Sequence, residues 1–384
     1  MISKKGPDRM RIGIFGGSFD PIHSAHLEIA KQAIGALSLD KLILMVAGIS
    51  PNKRNAEAAP AGMRLQMARI ASKDIPGLEV CDWEAVRGGM NYTAETLDAL
   101  EEAYPDAEFF LILGSDKVPG LRDWYRYTDI VSRAKIAVVC REGADGSKAG
   151  EGRTEDLLLL PISARDLSAT EIRRRLSEGL PIAGMVPQSV EDFIYEQGLY
   201  FPESIREIQK KLRTALTPDR YSHVCRVMEQ AADYAERFGV DPKKARLAAL
   251  LHDCAKCMDK EEQFALSGEK EYIPAILHAP AGAVIARTEY GIEDPEVLKA
   301  IRLHCTGDEG MSDLDMLIFL ADMTEHGRDF PSVNDIRDAV WQSLEHGMLV
   351  ALVYEDQYLR QKNAAIHPAA GRAIRYFKRK ESAL

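Results

Sequence analysis

The sequence predicts an α/β domain with a doubly wound parallel sheet, followed by an all-α domain. Short apolar runs alternate with helical patterns over residues 11–161, which is typical of parallel strands that helices cover on both faces. After residue 203 only helical patterns follow. A length of 384 residues also exceeds what one hydrophobic core usually serves. We therefore expect one domain over residues 1–202 and another over residues 207–384.

The predicted strands of the first domain are short apolar runs, and amphipathic segments separate them. The strands are expected at 11–15, 41–48, 108–114, 135–140 and 156–161. The clearest helices between them are expected at 24–37, 62–72 and 93–104. A polar, glycine-rich segment at 142–155 predicts a surface loop.

Signals for helix ends recur in the second domain. Thr217, Asp241 and Asp294 each precede a proline, and this order places a capping side chain before a first-turn proline. Gly239 follows the helix predicted over 218–238 and suits its C-terminal end. These signals predict separate helices joined by short loops.

The composition argues against several classes of protein. A formal net charge of −10 opposes nonspecific nucleic-acid binding, which needs a basic surface. The apolar runs are shorter than the roughly 20 residues of a membrane span, and the N-terminus lacks a signal-peptide pattern. The six cysteines are scattered along the chain and form no disulfide framework. We expect a cytoplasmic protein that binds neither nucleic acid nor membrane, with oligomerisation left open.

The stretch GGSFDPIHSAH, from Gly16 to His26, predicts a phosphate site. A glycine turn over 16–18 lets the backbone approach a ligand, and the start of the next helix offers unpaired N–H groups to an anion. His23 and His26 lie on one face of that helix, where they can donate hydrogen bonds to the phosphates of a nucleoside triphosphate. The alternative is a histidine pair that only caps an ordinary helix.

This stretch resembles the signature of the H-x-G-H nucleotidyltransferases, and GGSFDPIH is most similar to nicotinate-mononucleotide adenylyltransferase. Ala25 stands where that signature has glycine. Further segments resemble the family in the same order over residues 10–200. They are SPNK at 50–53, NYTAETL at 91–97, LGSD at 113–116 followed by Trp124, and SATEIR at 168–173.

The resemblance implies a Rossmann-like fold and adenylyl transfer from ATP to nicotinate mononucleotide, which yields nicotinate adenine dinucleotide and pyrophosphate. Mg²⁺ would accompany the ATP. The implied catalytic residues are His23, His26, Lys53 and Arg173. The implied nucleotide-binding residues are Gly16, Gly17, Ser18, Phe19, Tyr92, Thr93, Gly114, Asp116, Trp124, Ser168 and Thr170. Nicotinamide mononucleotide and phosphopantetheine are the alternative acceptors.

Six polar residues of the second domain lie at or near the ends of apolar helical runs. They are His223, His252, Asp253, His278, His304 and Asp322. Each alone fits a buried histidine or a helix-end carboxylate, but a buried carboxylate needs a partner or a cation. Together they suit two transition metals, with iron or manganese expected.

We expect Asp253 to bridge these two metals. The first metal would take His223, His252, Asp253 and Asp322, and the second would take Asp253, His278 and His304. Two metals about 3.5–4 Å apart suit in-line attack of water on a phosphorus atom.

This pattern resembles the HD-domain phosphohydrolases, and over 207–380 its details are similar to the bacterial HD-domain diadenosine tetraphosphatases. The matching segments include RYSH at 220–223, LLHDCAK at 250–256, AIRLH at 300–304 and AD at 321–322. The resemblance implies symmetric hydrolysis of diadenosine tetraphosphate to two ADP, with Arg220, Lys256 and Arg328 on the substrate phosphates. One departure is Ala279-Pro280 after His278, where the family usually has glycine.

The whole sequence therefore predicts a bifunctional enzyme that binds ATP, nicotinate mononucleotide and diadenosine tetraphosphate. Hydrolysis of another nucleotide, or nucleotide binding without catalysis, is the alternative for the second domain. Cys254, Cys257 and Cys305 lie beside the predicted ligands. As free cysteines they suit small core positions, and a zinc or redox role is the alternative.

Overall fold

The computed structural model describes residues 9–48, 58–87, 90–139, 157–160, 162, 164–364 and 366–382. The chain forms two compact units. One comprises Met1–Arg173 and Ile182–Glu191, and the other comprises Arg174–Pro181 and Asp192–Leu384. None of the described helices combines the length and the apolar character that a membrane crossing requires.

Six parallel strands form the sheet of the first unit, in the order β3-β2-β1-β4-β5-β6. The strands are β1 (Arg11–Gly17), β2 (Lys41–Val46), β3 (Leu78–Cys81), β4 (Glu108–Gly114), β5 (Ala134–Val139) and β6 (Leu157–Leu160). The strand order reverses between β1 and β4, and in such sheets a crevice for ligands opens beyond the carboxyl ends at this point. The predicted doubly wound parallel sheet is confirmed.

Two details of the sheet differ from the sequence prediction. The prediction omitted β3, a four-residue edge strand that pairs only with β2 among the described strands and lacks a long apolar run. It also ended β1 too early, because Gly16 and Gly17 still pair with Met45 and Val46 of β2. The turn after β1 therefore begins at Ser18 rather than at the glycines. The predicted loop at 142–155 lies outside the described residues.

Helices connect the strands, and an apolar helix face buries one side of the sheet. They are α1 (Ser24–Ala36), α2 (Ala61–Ser72), α3 (Trp83–Arg87), α4 (Thr93–Ala103), α5 (Tyr127–Arg133), α6 (Ala169–Glu178) and α7 (Gln188–Gln197). The spacing of Ala94, Leu97 and Leu100 places them on one face of α4, where they pack against Ile14 and Leu111 of the sheet.

The second unit contains helices and no strand among its described residues. Its helices are α8 (Glu203–Ala215), α9 (Pro218–Phe238), α10 (Pro242–Leu251), α11 (Lys260–Ser267), α12 (His278–Thr288), α13 (Pro295–Leu303), α14 (Asp313–Thr324), α15 (Val333–Gln342), α16 (Leu344–Gln361) and α17 (Pro368–Glu381). Thr217, Asp241 and Asp294 accept hydrogen bonds from first-turn N–H groups, as predicted. Gly239 ends α9 with a φ of 70°, a conformation that glycine adopts without strain.

The second unit begins before the predicted boundary at 202–207 and takes in parts of α6 and α7. Arg246 Nη1 of α10 donates to the carbonyl of Leu176, 2.8 Å away. Gln209 Nε2 of α8 donates to the carbonyl of Tyr195, 2.9 Å away. These buried bonds tie the ends of α6 and α7 to the helices that follow. The domain ranges 1–202 and 207–384 stay a prediction.

Candidate functional site

The predicted phosphate site lies where β1 ends and α1 begins, at the point where the strand order reverses. His23 is the N-cap residue of α1, and its ring stacks on that of His26 with centroids 3.6 Å apart. The backbone N–H of His23 donates to His26 Nδ1 at 3.3 Å. The two imidazoles therefore form one unit beside the positive end of α1, which attracts anions.

Phe19 supports this histidine pair from inside the protein. Its side chain is 2% exposed, and its ring centroid lies 5.0 Å from that of His26. A Cβ on Gly17, the last residue of β1, would lie 3.0 Å from the Phe19 ring, which favours glycine there. By contrast, among the residues that the structure describes, none beyond the chain neighbours has an atom within 4 Å of a Cβ built on Gly16. A direct contact of Phe19 with nucleotide stays a prediction.

The second predicted phosphate segment meets the first one. Arg173 Nη1 donates to the carbonyl of Asp20 at 2.6 Å and lies 3.7 Å from Asp20 Oδ2. Thr170 Oγ1 is 3.4 Å from Arg173 Nη2. Ser168 Oγ accepts a hydrogen bond from the N–H of Glu171 at 3.2 Å, which caps α6. The fold thus brings a guanidinium, hydroxyls and two helix starts to the same loop.

A buried arginine that the sequence reasoning missed holds this loop in place. Arg64 of α2 donates to the carbonyls of Ser18 and Ala47 at 2.6 and 2.7 Å. It also donates to those of Gly48 and Ala59 at 2.9 and 3.0 Å. One guanidinium therefore joins the turn after β1 to the segments that flank the predicted Lys53 motif. Lys53 itself lies outside the described residues, and its phosphate role stays a prediction.

Four of the predicted nucleotide-binding residues lie at the start of α4 or at the end of β4. They are Tyr92, Thr93, Gly114 and Asp116. Gly114 ends β4 directly beside β1, and the Asp116 side chain after it is exposed. Tyr92 is the N-cap residue of α4, which begins at Thr93. The ring of Tyr92 lies 4.9 Å from that of Tyr125, centroid to centroid.

Trp124 and Asn91 are two further side chains to consider in these segments. Trp124 is half-buried and packs against the core beneath the sheet. The side chain of Asn91, which lies in the matching segment 91–97 but not among the predicted binding residues, is buried and makes no hydrogen bond with a described residue. A buried amide without a partner is costly, so this side chain is a candidate to bind a polar ligand group.

The second unit gathers all six predicted metal ligands. His223 lies on α9 and Asp322 on α14, while His278 is the first residue of α12. His252 and His304 are the residues at which α10 and α13 end. Subsets of these side chains offer ligand atoms within 4.8 Å of one another, in the groups His223–His252–Asp322 and His252–Asp253–His304.

Asp253 stands between two pairs of histidines. Its Oδ2 lies 3.5 Å from His252 Nε2 and 4.0 Å from His223 Nε2. Its Oδ1 lies 3.2 Å from His278 Nε2 and 3.7 Å from His304 Nε2. One carboxylate oxygen therefore faces each histidine pair, which is the arrangement expected of a carboxylate that bridges two metals.

Neighbouring acceptors fix the orientation of three imidazoles. Nδ1 of His252 lies 2.7 Å from the carbonyl of Ala249, and Nδ1 of His304 lies 2.7 Å from that of Ile301. Nδ1 of His223 lies 3.1 Å from Glu325 Oε1. Donation from Nδ1 leaves Nε2 with its lone pair directed inward, as in metal-binding histidines. His252 Nε2 is buried and makes no hydrogen bond with a described residue, which fits a metal ligand.

Three cationic side chains predicted to bind phosphates border the centre. Arg220 Nη1 lies 2.8 Å from Asp253 Oδ2, and Arg328 Nη2 lies 2.6 Å from Asp322 Oδ1. Lys256 Nζ lies 2.9 Å from His278 Nε2. Fixed positive charge at the rim suits a polyphosphate substrate.

The electrostatics of the centre favour ionised carboxylates. Burial raises the pKa of Asp253 and of Asp322, but neighbouring imidazoles and, at Asp322, Arg328 lower both pKa values below the ordinary range. Burial lowers the pKa of His252 and of His278, which keeps those rings neutral.

His304 differs from these two histidines. Burial acts to lower the pKa of His304. Cys305 and Asp253 outweigh this effect and raise the pKa above its ordinary value, to about 9. A cation at this position therefore competes with a proton for the ring.

Glu325 is a further residue that the sequence reasoning missed. Its side chain is 1% exposed and contacts Arg226 Nε at 2.8 Å as well as His223. Burial raises the pKa of Glu325, but the bonds from His223 and Arg226 lower it to about 2. A permanently charged carboxylate behind a ligand histidine orients it and strengthens it as a ligand.

Pro280 and the cysteines beside the predicted ligands have simple structural outcomes. Pro280 lies in the first turn of α12, where a missing N–H is tolerated, so it does not displace His278. Cys254 is buried as predicted, but the core interpretation is wrong for the exposed Cys257. Cys305 is only half-buried, and its Sγ lies 3.1 Å from His278 Nε2 and 3.2 Å from His304 Nε2.

Comparisons with known proteins match the two parts of the chain separately. The cytidylyltransferase-like family model matches residues 14–175, and the HD domain model matches residues 220–326. A probable nicotinate-nucleotide adenylyltransferase of Methylacidiphilum infernorum is 38% identical over 193 residues, which cover 50% of this chain and 93% of that protein.

The second part has a relative of its own. A symmetrical bis(5'-nucleosyl)-tetraphosphatase of Halalkalibacterium halodurans is 44% identical over 160 residues, which cover 40% of this chain and 86% of that protein. A crystal structure of a predicted HD superfamily hydrolase involved in NAD metabolism from Clostridium acetobutylicum aligns with a TM-score of 0.43 at 30% identity, covering 46% of this chain and 97% of the other. The chain therefore belongs to the nicotinate-nucleotide adenylyltransferase family through its N-terminal part and to the HD domain family through its C-terminal part.

Proposed function

We propose that the first unit transfers the adenylyl group of ATP to nicotinate mononucleotide. The contact between Arg173 and the loop that carries Asp20 and His23 is the observation that supports this best. It joins two predicted phosphate segments, 153 residues apart in sequence, at the reversal of strand order. The 38% identical relative, named as a nicotinate-nucleotide adenylyltransferase, supports the choice of acceptor.

The proposed reaction needs no covalent nucleophile on the protein. An oxygen of the mononucleotide phosphate attacks the α-phosphorus of ATP, the bond to the β-phosphate oxygen breaks, and pyrophosphate leaves. His23, His26 and Arg173 would hold the negative charge that develops on the phosphate oxygens, together with Lys53. Mg²⁺ would accompany the ATP and neutralise part of its charge.

The test is pyrophosphate release from ATP by the full-length protein with three acceptors offered in parallel. Nicotinate mononucleotide is expected to react fastest, and a faster reaction with nicotinamide mononucleotide or phosphopantetheine would contradict the acceptor. His26→Ala is expected to lower kcat by about 10²–10³-fold, the cost of losing one donor to a developing charge. His346→Ala, far along the sequence on α16, is the control. An unchanged rate for His26→Ala would contradict the phosphate role.

We propose that the second unit hydrolyses diadenosine tetraphosphate symmetrically to two ADP with two divalent cations. The position of Asp253 between two histidine pairs supports a bimetal centre. His223, His252, Asp253 and Asp322 would hold one cation, and Asp253, His278 and His304 would hold the other. Iron or manganese suits these imidazole and carboxylate donors. When bound, the cations would polarise a phosphoryl oxygen and lower the pKa of a water molecule.

The side chains around the centre would orient the substrate. Arg220, Lys256 and Arg328 would bind its phosphates through fixed charges. Glu325 would hold His223 in its ligand orientation, and the buried carbonyls of Ala249 and Ile301 would do the same for His252 and His304. In the balanced reaction, water adds to the second phosphorus of the chain and ADP leaves with the bridging oxygen.

The test is chromatographic analysis of the products of diadenosine tetraphosphate with Fe²⁺ or Mn²⁺. ADP as sole product is expected. ATP plus AMP would contradict symmetric attack. No hydrolysis with either metal, while the protein still binds the nucleotide, would favour the alternative of a nucleotide-binding regulator.

A further inference from the structure

The thiol of Cys305 lies inside the metal centre of the second unit rather than in the core. Its Sγ is 3.1 Å from His278 Nε2 and 3.2 Å from His304 Nε2. The three side chains form one of the groups that offer ligand atoms within 4.8 Å of one another. A role for this thiol rests on the metal-dependent function proposed for this unit.

Nε2 of His278 and Nε2 of His304 both face the space beside the Cys305 sulfur. Nδ1 of His304 lies 2.7 Å from the carbonyl of Ile301 and is hydrogen-bonded to it, so that Nε2 is the nitrogen that faces this space. Nε2 of His278 faces Lys256 Nζ at 2.9 Å as well as the sulfur. Each imidazole therefore directs its Nε2 to the place where a cation would bind.

A fourth donor lies close to both imidazoles. Asp253 Oδ1 is buried and makes no hydrogen bond of good geometry with a described residue. It lies 3.2 Å from His278 Nε2 and 3.7 Å from His304 Nε2. Arg220 at Oδ2 and Lys256, whose Nζ lies 3.8 Å from Oδ1, offset part of the carboxylate charge, and a cation bound at Oδ1 would offset more of it.

Four distances among these atoms are close to those between the ligands of a tetrahedral site. The two nitrogen–sulfur distances are 3.1 and 3.2 Å, and the two nitrogen–oxygen distances are 3.2 and 3.7 Å. Ligand atoms at 2.0–2.3 Å from a tetrahedral Zn²⁺ lie about 3.5 Å from one another. On coordination the sulfur would therefore move slightly away from both imidazoles.

We propose that Cys305 is a protein ligand, through Sγ, of the cation held by His278, His304 and Asp253. The thiol would release its proton to solvent as the sulfur binds the cation. The resulting set of two nitrogens, one sulfur and one oxygen is softer than the other set, which is His223, His252, Asp253 and Asp322. The two positions would therefore differ in selectivity, with Zn²⁺ or Fe²⁺ favoured over Mn²⁺ beside Cys305.

The other cysteines near the centre are less suited to this role. Cys254 is buried, its Sγ lies 3.4 Å from the carbonyl of Gly282, and burial raises the pKa of its thiol to about 12. Cys257 is exposed on the same segment. It provides a matched control, since its substitution removes a nearby thiol without touching the proposed site.

The test is titration of the chelator-treated full-length protein with Co²⁺, followed by absorption spectroscopy. Wild type and Cys257→Ser are expected to gain the near-ultraviolet thiolate-to-cobalt charge-transfer band. Cys305→Ser is expected to lose that band while it keeps the visible ligand-field absorption of cobalt bound by histidines. A bound-cobalt spectrum of the wild type without the charge-transfer band would overturn the inference, as would retention of the band in Cys305→Ser.

A second measurement does not depend on any variant folding. Alkylation by iodoacetamide, read residue by residue by mass spectrometry, is expected to slow at Cys305 when Zn²⁺ is added, and to stay unchanged at Cys257. Equal labelling of Cys305 with and without bound zinc would overturn the inference and leave the proposed hydrolase intact. Failure of the wild type to bind Co²⁺ or Zn²⁺ at all would instead overturn the metal-dependent function together with the inference.

Discussion

The two candidate sites of this chain hold their polar groups in different ways. At the phosphate site, backbone groups and helix starts carry most of the chemistry, and a single buried guanidinium links the loops through four carbonyls. At the metal centre, side chains carry the chemistry, and individual histidines have their own acceptors.

The difference reflects what each ligand demands. A polyphosphate is large and accepts hydrogen bonds from many directions, so a loop of the right shape suffices. A metal ion has a small coordination sphere, so each imidazole must be turned to one direction and buried against exchange with water. The first site should therefore be most sensitive to loop support, and the second to individual ligands.

The largest effect is expected from Asp253→Asn, because the amide removes the charge shared by both histidine pairs. The rate of hydrolysis of diadenosine tetraphosphate should fall by about 10³-fold. This is the upper end of the range seen when one electrostatic contact is removed from an active site. Metal stoichiometry, measured by elemental analysis, should fall below that of the wild type. The adenylyl transfer rate of the same sample controls for folding of the first unit. Retention of both metal and hydrolysis would contradict the bridging role.

Arg64→Met tests whether loop support dominates the first site. The change leaves the carbonyls of Ser18, Ala47 and Gly48 and the buried carbonyl of Ala59 without their donor, which should destabilise the first unit by about 3 kcal/mol. The rate of adenylyl transfer should fall by about 10²-fold, because the loop that carries Ser18, Asp20 and His23 (the phosphate loop) would shift. Thermal unfolding and pyrophosphate release measure the two effects.

Arg69→Met is the matched control for that variant. Arg69 lies on the same helix but is exposed, with a surface ion pair to Asp82, and such pairs contribute at most about 1 kcal/mol. If both variants behaved alike, the phosphate loop would not depend on the buried guanidinium.

Glu325→Gln should weaken metal binding without removing a ligand. The amide keeps the shape of the side chain but loses the charge that faces His223 and Arg226. Loss of such a partner typically costs about 10–100-fold in metal affinity, which isothermal titration with Mn²⁺ would measure. A larger loss in Glu325→Gln than in His223→Ala would show that Glu325 supports the fold rather than one ligand.

The smallest effect on activity is expected from Asp233→Asn, which changes stability alone. Burial and the nearby Glu236 raise the pKa of Asp233 from 3.8 to about 6. The protonated carboxyl is favoured in the folded state, so the wild type should lose stability as pH rises from about 4 to about 6. Asp233→Asn should escape this loss and be more stable at pH 7.5 by at most about 3 kcal/mol.

The pH dependence of unfolding separates this effect from a general change in packing. At pH 4 the wild type and Asp233→Asn should have equal midpoints in urea, because the carboxyl is then protonated in the folded state. Midpoints that differ equally at pH 4 and pH 7.5 would contradict the raised pKa of Asp233.

The sequence determined the architecture because local patterns report which surfaces are buried. Doubly apolar runs predicted the parallel strands, and capping pairs such as Thr217 and Pro218 predicted where helices begin. The edge strand β3 was not predictable in this way, since a four-residue strand buried mainly on one face has no long apolar run. The histidine and aspartate motifs were recognisable because their residue types and spacing are unusual at the ends of apolar helices.

Only the tertiary structure decided which groups support the sites. Arg64 and Glu325 are ordinary charged residues in sequence, and their roles arise from carbonyls or an imidazole that lie far away along the chain. Cys305 looked like a core residue because spacing along one helix does not reveal that His278, 27 residues away, turns its ring toward the same space. Local patterns fix what a segment buries, whereas the direction of a side chain toward distant partners depends on how the elements pack.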